Sequence, residues 1–592
     1  MDSEQRIGSK EMQSFKRRLK PWCLLTPVLL VLLSMVVACG SAAAPDTSEP
    51  AGQAPVVTAP KVKSVPAVAP KAVAESEGGV SPINLVVMVG GWGHRFLPIH
   101  GTNCHNHYNV VHDFIIRTDE NRGEIPGMAT SWDISEDGKT WTITLRDDGK
   151  FHDGSKVTGE DLLFSWNQSW GPGSADVATS STAANQAANT AKIELTGPQQ
   201  VSLTTVNIDA GFGGLLSDSS GACQGIIRPA GDLATIHDAG AMTDYDKNPI
   251  GAGVMRLVNQ VEDEVMSFER FDEYYAEDRR VPFQSMDLRK ISEESTRAAA
   301  LKAGEADIAP ISLATKNLVE SGGGKIIIGQ EASYLRIMYI GCGWAEYDLA
   351  CSDKRVRQAM GYAVDKEALR DDLFGGPTVF EAKGWAHVTP SSLGYQPDLD
   401  PYPYDPDKAR ELMAEAGYPG GKGFPKLIVN TWSSRAVPFL PESAQLAAEY
   451  WRTELGIETE VRVGDETALK KATKARKPLA GQILWRDNET RWDGRSTMRG
   501  SYASPPKEGT KGGNWSHTPE TVDVVRAALA VFDPSKIDEV WHDVNLRLRD
   551  EHYEMAMGYV NIQWGVGPRI ADWKPLPQAF YPSAYHTIKL VD

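Results

Sequence analysis

No charged residue occurs between Pro21 and Ala38, and no aromatic residue between Ser41 and Gly79. The first absence excludes a solvated face for residues 21–38. The run is slightly short of the roughly 20 apolar residues of a membrane-spanning helix and contains two prolines. The second absence leaves residues 41–79, mostly Ala, Pro, Val, Ser, Glu and Lys, too little apolar surface to form a core, so an extended leash is expected. The chain also lacks a G-x-S-x-G elbow, an H-E-x-x-H pair and a G-x-x-x-x-G-K-[ST] loop, and Ser321-Gly-Gly-Gly-Lys325 does not have the spacing to cradle phosphates. Basic patches are scarce too. With a formal charge of -17, nucleic acid is not an expected partner, and "KKATKARK" from Lys470 reads as a solvated helix face.

The N-terminus itself is ordered like an export signal. Arg6, Lys10, Lys16, Arg17, Arg18 and Lys20 precede the uncharged run. The run ends at Val36-Val37-Ala38-Cys39, which resembles the lipobox of bacterial lipoproteins. That resemblance implies cleavage before Cys39, lipid on its thiol, and a soluble body held at the outer face of the cytoplasmic membrane by the leash.

About 510 residues lie beyond the leash, enough for more than one core. "TWTITLR" alternates Trp141, Ile143 and Leu145 with threonines, the period of a half-buried strand. Thr158 with Asp161 three residues later predicts a helix start. "KLIVN" at Lys426–Asn430, a helix over Glu442–Leu455 stopped at Gly456, and the strand "IETEVRV" form an expected βαβ unit with a parallel pair. Asp405 and Pro406 open another helix, closed at Gly417. Ser352 is expected to cap a third, and a fourth stops at Gly304. The class is mixed α/β, with no repeat of fixed period. Trp132, Trp141, Phe151 and Phe164 are expected in the core, and Gly251-Ala252-Gly253 in a chain reversal.

Four cysteines lie beyond Cys39. Cys342 and Cys351 are candidates to staple the loop "CGWAEYDLAC"; Cys104 and Cys223 are a second candidate pair, with buried thiols as the alternative.

The stretch "IPGMATSWDISEDGKTWTITLRDDGKFHDGSKVTGEDLLFSW" (Ile125–Trp166) resembles the signature region of family 5 extracellular solute-binding proteins, the oligopeptide, dipeptide and nickel binders of ABC importers. "NPIGAGVMRLV" from Asn248, "STRAAALKAGEADI" from Ser295, "SDKRVRQAMGYAVDKEAL" from Ser352 and "PYDPDKARELMAEAGYP" from Pro403 continue the match in the family's order. The resemblance implies a two-lobe clamp of the periplasmic-binding-protein kind. Its first lobe would run over 82–310, with an inserted subdomain at about 124–200, and the second over 311–562. Residues 563–592 would return to the first lobe, after a signal over 1–39 and a linker over 40–81. Ligand would be enclosed by hinge closure and passed to the permease and ATPase subunits of the importer, with no cofactor and no enzymatic turnover.

The family's second lobe carries a tryptophan followed by an acidic, aromatic and proline cluster near the ligand. Here "ILWRDNETRWDGR" matches at Trp485 and departs after it. The resemblance implies an aspartate for a peptide amino terminus, with Asp487 and Asp493 as the candidates. Arg486, Arg491 and Arg495 interleave with them, and Trp485 and Trp492 offer stacking faces; an ion-pair network at the surface is the alternative. Trp92, after the first strand, and Trp432, after "KLIVN", sit where strand-end loops line the crevice of α/β folds. Ligand-binding candidates are therefore Trp92, Trp432, Trp485, Arg486, Asp487, Arg491, Trp492 and Asp493, with peptide as the leading cargo and an oligosaccharide as an alternative. His94, His100, His105, His107 and His112 crowd a short stretch beside Cys104 without matching a zinc motif. His94, His105 and His107 are the candidate ligands should the cargo be a metal or its chelate. A metal-dependent hydrolase built on this loop is the alternative of another class.

Overall fold

In the computed structural model, most residues between Ser81 and Val591 are described. The main segments outside that description are 1–80, 91–95, 98–106, 219–223, 232–243, 383–394, 490–494 and 503–518. Three sheets organise the body.

The first sheet has seven strands in the order Lys325–Ile328, Gln563–Val566, Ile308–Ile311, Ser81–Val89, Phe283–Lys290, Val265–Arg270, Met255–Val261. Ser81–Val89 lies at its centre, parallel to Phe283–Lys290 and Ile308–Ile311, and its last five residues, Leu85 to Val89, are all buried. A strand covered on both faces reads as a continuous apolar run, which "NLVVMV" is. Because Lys325–Ile328 also belongs to this sheet, the passage to the second sheet falls between Ile328 and Ser333.

The second sheet has six strands in the order Phe380–Glu381, Glu554–Val560, Ser333–Tyr339, Ile483–Glu489, Leu427–Thr431, Thr459–Val463. The βαβ expectation holds: Leu427–Thr431 and Thr459–Val463 pair in parallel across the helix Leu440–Leu455, which ends at Gly456 with φ 72°. Asp405 caps the helix Pro406–Glu415 by accepting from the Lys408 amide at 2.9 Å. Ser352 does not cap the helix Lys354–Tyr362; Asp353 does, accepting from the Arg355 amide at 2.9 Å. Two adjacent polar residues can fill that position, and the carboxylate takes it. Cys342 and Cys351 are disulfide-bonded, their Cα atoms 5.3 Å apart.

The third sheet is antiparallel, Ala129–Ile134, Thr140–Leu145, Gln200–Thr205, Thr190–Gly197, with the helices Gly159–Trp170 and Ser181–Asn189 alongside. Trp141, Ile143 and Leu145 face its core as their alternation predicts. Asp161 accepts from the amide and hydroxyl of Thr158, which starts the first of these helices. Phe151 is buried; Trp132 packs partly buried at the core's edge and Phe164 is half-buried, less deep than expected. Gly251 and Gly253 are explained by close packing within the chain. A Cβ there would meet the Val111 carbonyl oxygen at 1.8 Å and that of Val110 at 2.4 Å.

Candidate functional site

Leu427–Thr431 runs parallel to Ile483–Glu489, with Val429 opposite Ile483 and Asn430 opposite Leu484. The C-terminal ends of both strands therefore open onto the same edge of the second sheet, the position at which α/β folds place ligands. Trp432 to Ser434 follow the end of one strand, and beside them the longer strand continues with Arg486 and Asp487, still paired on its other side with Arg336 and Leu335.

The Ser434 hydroxyl donates to Asp487 Oδ2 at 2.5 Å and accepts from the Val437 amide at 3.0 Å, so the loop after the strand is pinned to the aspartate. Asp487 is half-buried. The Arg486 guanidinium carbon lies 5.5 Å from the centre of the Trp432 ring, and Lys470 Nζ 5.6 Å from the same ring. Arg486 Nε donates to the Asp487 carbonyl at 2.9 Å, and its Nη2 shares Asn488 Oδ1 with Arg336 Nη2, both at 3.3 Å. Beneath lies a buried ion pair, Arg336 Nη1 to Glu554 Oε2 at 2.6 Å, whose other carboxylate oxygen accepts from the Tyr502 hydroxyl at 2.6 Å. A buried pair satisfied on both oxygens fixes geometry more than it adds stability.

Two of the expected ligand contacts are corrected by this geometry. Trp485 is 0% exposed; its indole N–H donates to Ser443 Oγ at 2.8 Å and its ring packs edge-on against Trp451, 6.2 Å between centres. It is a core residue of the second sheet, because the central strand is covered on both faces. Trp432 is 1% exposed and forms the floor under Arg486 rather than an open stacking face. Trp92, Arg491, Trp492 and Asp493 lie outside the described residues, as do His94, His100, His105, Cys104, Cys223 and Cys39. His107 and His112, the two of the histidine run that are described, are buried: His107 packs edge-on to Phe96 at 4.8 Å, and burial drives the His112 pKa well below its usual value. No group of three His, Cys, Asp or Glu among the described residues has the arrangement to hold a metal ion.

A second contact region was not foreseen. Asp209, after the third sheet, pairs with Arg499, which follows the strand Ile483–Glu489 of the second sheet in the chain, Nη2 to Oδ1 at 2.8 Å and Nε to Oδ2 at 2.5 Å. Burial holds the Asp209 carboxyl above the usual carboxylate range even though Arg499 draws it down. The Ala210 amide donates to the Leu529 carbonyl at 2.8 Å, and Trp141 packs near Phe532, ring centres 6.2 Å apart. Gly211 lets the chains approach: a Cβ there would meet Arg495 Cβ and Arg499 Nη2, each at 3.1 Å. The glycines of "GFGG" were the available signal, without a partner to attach them to.

Residues 124–508 match the family model "Bacterial extracellular solute-binding proteins, family 5 Middle". The glutathione-binding protein GsiB of Pectobacterium atrosepticum is 29% identical over 313 residues, 52% of this chain and 54% of that protein, so the chain spans about half the length of that relative. The dipeptide-binding protein of Escherichia coli K12 is 25% identical over 473 residues, 75% of this chain and 82% of that one. Among solved structures, DppA from Helicobacter pylori in complex with the peptide STSA has a TM-score of 0.71 at 19% identity, covering 86% of this chain and 99% of that one; at that identity it shows a shared fold. The nickel-histidine complex of NikZ from Campylobacter jejuni has the same fold, with a TM-score of 0.69 at 20% identity over 86% and 99% of the two chains. With the matched region covering well over half of its length, the chain belongs to the bacterial extracellular solute-binding proteins of family 5.

Proposed function

We propose that the protein captures peptides between its two lobes and hands them to the permease and ATPase subunits of an ABC importer, without chemical turnover. The lobes would be organised around the first and second sheets, with the third sheet as the inserted subdomain. The body would be tethered outside the cytoplasmic membrane by lipid on Cys39, through the leash that precedes Ser81. Family membership and the peptide named with the Helicobacter structure support this reading.

One observation carries the choice of peptide: Asp487 is a half-buried carboxylate at the shared edge of two parallel strands, oriented by Ser434. A carboxylate so placed is suited to an amino terminus, whose charge it meets by charge-assisted hydrogen bonds. Native mass spectrometry of the full chain, purified without metal-affinity steps, tests it. A ladder of peptide masses is expected, lost in Asp487→Asn. A single non-peptide mass, or peptides retained unchanged by folded Asp487→Asn, refutes the assignment. The intact mass of the mature chain tests the tether: it should begin at Cys39 and carry acyl chains.

A further inference from the structure

Where the third sheet meets the second lobe, a cavity of about 360 Å³ opens beside the Asp209–Arg499 pair. That volume is within the range of small-molecule sites, about 300–1,000 Å³. Its walls come from both sides of the seam. Asn185 and Asn189, four residues apart on the helix Ser181–Asn189, share one face, and Lys139 and Asn207 flank them. Opposite stands Arg526 of the helix Pro519–Leu529, with Ala527 and Ala530 beside it, whose small side chains keep that wall low.

The lining specifies a chemistry. Asn207 donates to Asn189 Oδ1 from its backbone, at 2.9 Å, and from its side-chain amide, at 3.1 Å. The two amides are thereby held so that one offers a donor and the other an acceptor, the combination a hydroxyl group satisfies on both counts. Asn185 Nδ2 is buried with no hydrogen-bond partner among the described residues, a donor whose burial costs free energy until something accepts from it. The described lining carries the cations Lys139, Arg499 and Arg526 and the carboxylate of Asp209, which Arg499 answers. Guanidinium and ammonium facing amides suit a carboxylate that also carries hydroxyls.

We propose that this seam cavity is a second ligand site, separate from the crevice at Asp487, and that it takes a small hydroxycarboxylate of the sugar-acid kind. Because the walls belong to different lobes, the site is complete only while Asp209 and Arg499 are in contact. Its ligand therefore binds the closed form and, by linkage, tightens closure around whatever the crevice holds. The proposal stands whichever cargo the crevice takes.

Isothermal titration of the full chain with sodium D-gluconate, and in parallel with the uncharged polyol D-sorbitol and with inorganic phosphate, decides it. Saturable binding of one gluconate is expected, with none of sorbitol, and Arg526→Gln and Lys139→Gln should each weaken it about tenfold. Both side chains are half-exposed, and the unfolding midpoint of each variant is measured alongside to separate lost binding from lost stability. The proposal is overturned if gluconate gives no saturable heat, if phosphate binds in its place, or if gluconate affinity is unchanged in both variants.

Discussion

Replacing Trp485 with Phe separates a core role from a ligand contact. The substitution removes an indole N–H that donates at 2.8 Å to Ser443 Oγ, a hydroxyl that itself donates to the Leu440 carbonyl at 2.7 Å. A neutral buried hydrogen bond contributes about 1 kcal/mol net, and Ser443 keeps its second partner, so no larger penalty for an orphaned group applies. The smaller ring leaves a void of roughly 40 Å³ against Trp451, which at ~24 cal/mol per Å³ adds about 1 kcal/mol. Trp485→Phe should therefore destabilise the protein by about 2 kcal/mol in urea titrations, with the slope unchanged. A double-mutant cycle with Ser443→Ala should return a coupling near 1 kcal/mol. Affinity for any peptide that the mass spectrometry identifies should stay at the wild-type value, because the ring is fully buried. A tenfold or greater loss of affinity in a protein with unchanged midpoint would refute the placement of Trp485 in the core.

Gly211→Val places methyl groups where a Cβ alone already comes within 3.1 Å of Arg495 and Arg499, so it should hold the seam apart. Ligand affinity is expected to fall about tenfold and the radius of gyration with ligand to rise toward that of the ligand-free protein; small-angle scattering showing unaltered closure would contradict this. Burial pushes His152 and His586 down to about 4, the cationic Arg279 and Arg117 helping at His586, and drives His112 lower than its usual value. Below about pH 6.5 the unfolded chain then binds more protons than the fold, so stability complete above that pH declines toward pH 4, by about 3 kcal/mol from His152 alone. Imidazole proton resonances titrating near 6.5 in the folded protein would be incompatible with it. Cys351→Ser opens a loop closed over a sequence separation of 9, and should cost about 2–3 kcal/mol of stability while leaving ligand affinity intact.

Punctuation of helices and strands was legible because it is local. Asp405, Gly304, Gly456 and the Thr158–Asp161 pair act within one turn of where they stand. The role of Trp485 was not legible, because Ile483, Leu484 and Trp485 are consecutively buried in a strand covered on both faces. Alternation, which sorts core from surface in "TWTITLR", carries no information there. The seam was out of reach for another reason: Asp209 and Arg499 are 290 residues apart, and nothing near either marks a partner so distant in the chain.

The same long-range placement bears on which peptides the crevice would favour. Asp487 does not stand alone as a negative group; Arg486 and Lys470 both lie within 6 Å of the Trp432 ring beside it. Arg486 is held by the Asp487 carbonyl, by Asn488 and by the face of Trp432, so it cannot swing away when a cation approaches. Glu466 answers part of the Lys470 charge at 2.5 Å, in a partly exposed setting where screening is strong. If Asp487 faces the ligand as proposed, one bearing only positive charge would meet attraction from Asp487 and repulsion from the guanidinium at once. A zwitterion can turn its ammonium to Asp487 and its carboxylate toward the arginine, gaining from both. On the proposed reading the crevice would select by charge pairing along the ligand, a requirement that short peptides with free termini would satisfy without help from their side chains.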